Sequence, residues 1–224
     1  MRIMRETQDR YFDGDFWRAE NLKYAEPHFR LRKLARIVNA AAGREPCELL
    51  DLGCGPAALA RLLAGNIRYR GIDIAIHDPA PNLQEFDFIE HEIPFDAASF
   101  DIVVASGLFE YAGTAQERKF REIRRILRKA GTFVVSYINF DHIHKVVTPL
   151  YNNMRSIDAF RDDLRECFEV HRSFPVSYNW QGTPPRRRLL QHLEMHVNVT
   201  IPVMARLLGV EFVFVCAPRN SESA

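Results

Sequence analysis

The run CELLDLGCGPAALARLLAGNIRYRGIDIA, residues 47–75, constrains this chain more than any other feature. A short apolar segment ends at an acidic residue and two closely spaced glycines, ALARLLAG follows as a helical turn or two closed by Gly65, and YRGIDI is a second apolar segment. Strand, helix and strand in so short a span is the crossover unit of a parallel sheet, because parallel neighbours need a return path that a helix supplies. Gly53 and Gly55 place small residues where backbone N–H groups and a helix N-terminus approach a ligand closely.

The alternation continues downstream. LQEFDF, SFDIVVAS and TFVVSYI read as further strands, and QERKFREIRRILRKAG as an amphipathic helix ending at Gly131. That rhythm implies an α/β protein with a parallel sheet covered by helices on both faces. Upstream, Phe16, Trp17, Tyr24, Phe29, Leu31, Leu34, Ile37 and Val38 recur at helical spacings. Pro27 divides them into two helices, the second ending at Gly43. Beyond Asn139 the rhythm changes: HIHKVVTPLYNN, SIDAFRDDLRECF, PPRRRLLQHLEMHV and PVMARLLG read as helical, EVHRSFPVSYNW and VEFVFVCAP as extended. The expected organisation is one domain over residues 1–224, with a helical lid over 1–43, a ligand-binding core over 44–138, and cap segments and final strands over 139–224.

Charge and cysteine usage exclude several classes of partner. Lys plus Arg number 30 against 29 Asp plus Glu, so no global field draws the chain to nucleic acid or an anionic membrane. No window approaches the ~18 apolar residues of a membrane span, and MRIMRETQDRYFDGDFW has no apolar signal region. Cys47, Cys54, Cys167 and Cys216 are widely spaced and form no C-x-x-C pair, which fits a reduced, cytoplasmic chain.

The glycine loop alone allows two readings. Gly53, Gly55 and Ala58 match G-x-G-x-x-A, and Asp73 ends the next strand about 18 residues on, near the spacing of a dinucleotide fingerprint. With its neighbours, however, the loop reads DLGCGPA, and Asp51 stands two positions before the first glycine. This resembles the E/D-x-G-x-G-x-G loop of class I S-adenosylmethionine (SAM)-dependent methyltransferases, with Ala57 in the place of the third glycine. The segments EFDFIEHEIPFDAASFDIVVASGLFEYAG and IRRILRKAGTFVVSY are similar to that family's later motifs in order and spacing, so the resemblance covers residues 47–137.

The resemblance implies a Rossmann-like, seven-stranded, mostly parallel sheet ending in an antiparallel C-terminal strand. It implies SAM as cofactor, with S-adenosylhomocysteine as product. Asp51 would meet the methionyl amine, and the backbone of Gly53, Cys54 and Gly55 would lie against the amino acid and ribose. Asp73 would accept from both ribose hydroxyls, and Ile74 would pack on the adenine. Asp87 would accept from the adenine amino group, the Phe88 N–H would face the ring, and Ser106 and Gly107 would border the methionyl part.

Transfer from a sulfonium needs an acceptor lone pair in line and, for a hydroxyl, a base. Many small-molecule methyltransferases resembling this chain carry L-E-H after the fourth strand, where this chain has Phe109, Glu110 and Tyr111. The catalytic candidates are therefore Tyr111 and the two histidines that follow the fifth strand, His142 and His144. No third ligand stands near them at a recognisable spacing, so no metal is expected. Tyr11, Phe16, Trp17 and Tyr24 are candidates for enclosing a small-molecule substrate, in a monomer or homodimer. An NAD-dependent oxidoreductase on the same loop, and a SAM-binding partner protein without catalysis, stand as alternatives. The first would ordinarily need a further substrate domain, for which 224 residues leave little room.

Overall fold

A computed structural model describes residues 25–141, 151, 153–178, 205 and 209–219. Seven strands run in chain order: β1 (Cys47–Leu52), β2 (Ile67–Asp73), β3 (Leu83–Glu85), β4 (Phe100–Ala105), β5 (Leu127–Ile138), β6 (Phe168–Tyr178) and β7 (Gly209–Pro218). They form one sheet in the order β3-β2-β1-β4-β5-β7-β6. All neighbours from β3 to β5 pair in parallel, whereas β7 is antiparallel to both β5 and β6. The expected Rossmann-like sheet is therefore present, with β7 as its antiparallel C-terminal strand.

Successive side chains of a strand point to opposite faces, and the core divides accordingly. Leu50, Val103, Phe133 and Val135 belong to one buried cluster, while Leu49, Ile102, Val104 and Val134 belong to the other. Helices α2 (Gln116–Ile126) and α3 (Ile157–Cys167) cover the first face through Phe120, Ile123, Phe160 and Leu164. Helix α1 (Phe29–Ala42) covers the second through Leu34, Ala35 and Val38. Pro27 and the N-cap His28, whose Nδ1 accepts the Leu31 N–H at 3.4 Å, set where α1 begins.

Two expected helices are altered. ALARLLAG does not form a regular helix: after β1 the chain closes N–H bonds three residues back, giving only a 3-10 turn at Ala60–Leu62. Asn39 of α1 then takes over both ends of the backbone there, accepting from Ala64 N–H at 2.9 Å and donating to Leu62 O at 3.0 Å. Those bonds hold the far end of the segment, and among the described residues no α-helix follows the glycine loop before β2. The other change is at Gly131, which lies inside β5 rather than at the end of α2. A Cβ there would sit 2.9 Å from Arg128 O and 3.0 Å from Asp101 O, so close strand packing, beside a register shift between Phe100 and Ile102, accounts for the glycine.

Candidate active site

Strand β1 lies between β2 and β4, so the connections leaving the C-terminal ends of β1 and β4 diverge and open a crevice. A cavity of about 400 Å³ fills it, within the range of small-molecule and cofactor sites. Its walls come from the ends of β1, β2, β4 and β5, the beginning of β7 and the start of α1.

The β1 side is built on glycines. Gly53 (φ 69°) and Gly55 (φ 51°) adopt left-handed backbone, and Ala57 does so too at φ 50°, the conformation that a third glycine would take without cost. Asp73, at the end of β2, ties the loop in place: its Oδ2 accepts the Gly55 N–H at 2.8 Å and its Oδ1 the Ala75 N–H at 3.1 Å. Behind the loop, Asp51 is buried and accepts the Tyr69 hydroxyl at 2.8 Å. Burial pushes the Asp51 carboxyl up to about 7, a rise that the Tyr69 bond opposes and the neighbouring Asp73 reinforces. Burial holds the Cys54 thiol far above its ordinary range, so it is no nucleophile.

On the β4 side, Ser136 Oγ stands 3.3 Å from Ser106 Oγ and accepts the Gly107 N–H at 3.0 Å, joining the turn after β4 to β5. Phe88 packs edge-on against Phe109 at 5.6 Å between centroids, and Tyr111 lies 5.3 Å from Tyr151, ring to ring. Asp51, Gly53, Cys54, Gly55, Asp73, Ile74, Phe88, Ser106, Gly107 and Tyr111 thus all line one cavity. Asp87 is not part of that lining; its Oδ1 accepts the N–H groups of Ile89 and Glu90 at 2.9 and 3.0 Å, holding the turn that carries Phe88. Tyr11, Phe16, Trp17, Tyr24, His142 and His144 lie outside the described residues. Among the described residues, no group of three His, Cys, Asp or Glu side chains is placed to hold a metal ion.

The cavity also contains groups that sequence reasoning did not assign. Glu110 is fully buried, with Oε1 accepting the Ile138 N–H at 2.9 Å. Glu211, on β7, pairs across the sheet with Ile138 and accepts Arg30 Nη1 at 2.8 Å. Burial foremost, with Glu211 adding to it, pushes the Glu110 carboxyl up to about 8. His28, beside Arg30, is lowered by burial and by that guanidinium. A lone glutamate inside the apolar run VEFVFV was a visible signal for Glu211. Nothing local marks Arg30 as its partner.

A mostly parallel sheet of this order, with a cavity at its switch point walled by a glycine loop and strand-end carboxylates, defines a Rossmann-like cofactor-binding protein. Methyltransferase-domain sequences match residues 27–198, and the chain belongs to that family, the class I SAM-dependent methyltransferases, whose cofactor is SAM. An uncharacterized methyltransferase of Schizosaccharomyces pombe is 26% identical over 167 residues, 68% of this chain; the match spans 63% of the length of that relative. Among solved structures, a chain from the Haloferax volcanii complex containing the Trm112 methyltransferase activator is similar at a TM-score of 0.68 and 20% identity, covering 94% of this chain and 97% of that one. A SAM-dependent methyltransferase from Aquifex aeolicus is similar at a TM-score of 0.58 and 12% identity, covering 89% and 97%. At those identities the two structures speak to the fold alone.

Proposed function

We propose that the chain is a methyltransferase that binds SAM on the β1–β2–β4 side of the cavity and methylates a hydroxyl or amine of a small molecule held on the β5–β7 side. The observation that carries this reading is the joint placement of Asp51, the Gly53–Gly55 loop and Asp73 along one wall. Asp51, ionised, accepts from the methionyl ammonium. Asp73, which accepts a backbone N–H on each oxygen, takes the ribose hydroxyls. Ile74 and Phe88 form the adenine slot, Asp87 holds the turn beneath it, and Ser106 and Gly107 border the methionyl chain. When bound, SAM supplies a methyl group already activated on sulfur, so the protein's task is chiefly to orient the acceptor and exclude water. Tyr111 and Tyr151 offer aromatic walls and phenol groups to that acceptor. His142 and His144 are kept as the proposed bases for a hydroxyl acceptor, and Tyr11, Phe16, Trp17 and Tyr24 as the proposed lid, in a single domain that is cytoplasmic and monomeric or dimeric.

A second reading is a SAM-binding partner protein without transfer activity. It is favoured by Tyr111 in the place of the L-E-H histidine. Incubation with methyl-labelled SAM and fractionated extract separates the two. The first predicts label in a low-molecular-weight product together with S-adenosylhomocysteine, whereas cofactor binding without labelled product contradicts it.

A further inference from the structure

If SAM occupies the β1–β2–β4 side, as proposed above, the opposite wall carries a feature that cofactor binding does not use. Glu110 lines the cavity at 0% exposure, and its Oε2 is buried without a hydrogen-bond partner among the described residues. Its Oε1 alone holds the Ile138 N–H, a task that a neutral amide oxygen would perform equally well. A buried acceptor left without a donor is costly, and each such group calls for an explanation.

The surroundings give one. The β5–β7 pairing sets Glu211 opposite Ile138, so two buried carboxylates converge on this wall, with Arg30 paired to Glu211. His28, the other cationic candidate lining this side among the described residues, is held toward its neutral form by burial and by Arg30. Among the described residues one guanidinium, Arg30, faces these two carboxyl groups; Glu110, held toward its protonated form by burial, ionises when a further cation enters beside it. The rings of Tyr111 and Tyr151 on the same cavity provide the electron-rich faces that cations favour.

We infer that Glu110 and Glu211 form the docking site for a cationic amine on the methyl-acceptor substrate, with Glu110 Oε2 receiving its N–H. This makes the acceptor an amine-bearing small molecule: the methyl goes to a neighbouring atom, or to that nitrogen once its ammonium proton has passed to Glu110 and freed the lone pair.

The test uses the full chain saturated with S-adenosylhomocysteine and three probes of similar shape: phenethylamine, 2-phenylethanol and 3-phenylpropionate. Calorimetric titration is expected to show the amine binding about tenfold or more tighter than the alcohol, with the carboxylate weakest, as a charge-assisted bond in a buried site requires. Glu110→Gln keeps an oxygen for the Ile138 N–H, and Glu211→Gln keeps one for Arg30. Each should cut amine affinity by about tenfold while leaving S-adenosylhomocysteine affinity within about threefold. Equal affinity for amine and alcohol, tighter binding of the carboxylate, or an undiminished amine affinity in Glu110→Gln overturns the inference while the cofactor reading stands. Failure of S-adenosylhomocysteine itself to bind overturns the cofactor reading and this inference with it.

Discussion

Asp51 and Glu110 stand on opposite sides of one cavity, each buried, and each with a carboxyl raised by burial, to about 7 and about 8. An acid whose folded value lies above its unfolded one keeps its proton in the native state after the unfolded chain has released it. Such a group favours the fold at low pH, and its contribution disappears as pH rises through the folded value. The ligand-free protein is therefore expected to melt at a lower temperature at pH 8.5 than at pH 5.5, by several degrees. The double substitution Asp51→Asn with Glu110→Gln, which cannot ionise, should flatten that slope; a wild-type melting temperature that rises over the same interval contradicts the assignment. The two acids were not equally legible in the sequence. Asp51 announces itself by standing just before a glycine turn at a strand end. Glu110 sits in a motif position that could be read, but its pairing with Glu211 depends on β5 and β7 meeting across a long sequence separation, which no local pattern encodes.

At the level of elements, apolar runs located β1, β4, β5 and β7, because strands covered on both faces must be apolar at most positions, whereas β2, β3 and β6 were read from mixed segments. The segment after β1 was less legible, since ALARLLAG has helical composition while Asn39, on a distant helix, captures its backbone. The loop there rests on β2 at Gly71, where a Cβ would lie 2.8 Å from Cys54 Sγ, 2.9 Å from Cys54 Cβ and 2.9 Å from Leu83 Cδ2. Gly71→Ala therefore has to displace either the glycine loop or β3. Overpacking of this kind costs about 1–3 kcal/mol, which corresponds to a fall of about 2–12 °C in melting temperature for a chain of this size. It should also weaken S-adenosylhomocysteine binding, because Cys54 lies between Gly53 and Gly55. A variant with unchanged melting temperature and unchanged binding would contradict the claim that β2 buttresses the loop.

Across the whole molecule, the strand order reverses at β1 and β4, and that reversal brings residues from distant parts of the chain to one cavity. Alternating strands and helices implied a parallel sheet, and the family resemblance placed its last strand antiparallel; the structure has both features. The proposed aromatic lid and the histidine pair belong to segments outside the described residues, so the functional account rests on the cavity wall itself. The proposed function requires this wall to take SAM, through Asp73 in particular. Asp73 accepts a backbone N–H on each oxygen, and an amide cannot do the same because its nitrogen is a donor. The most direct measurement is calorimetric titration of wild type and Asp73→Asn with S-adenosylhomocysteine and, in parallel, NADH. The account predicts that S-adenosylhomocysteine binds the wild type, that Asp73→Asn weakens it by about tenfold or more, and that NADH gives no binding heat. NADH binding without S-adenosylhomocysteine binding would make the loop a dinucleotide site and contradict the account.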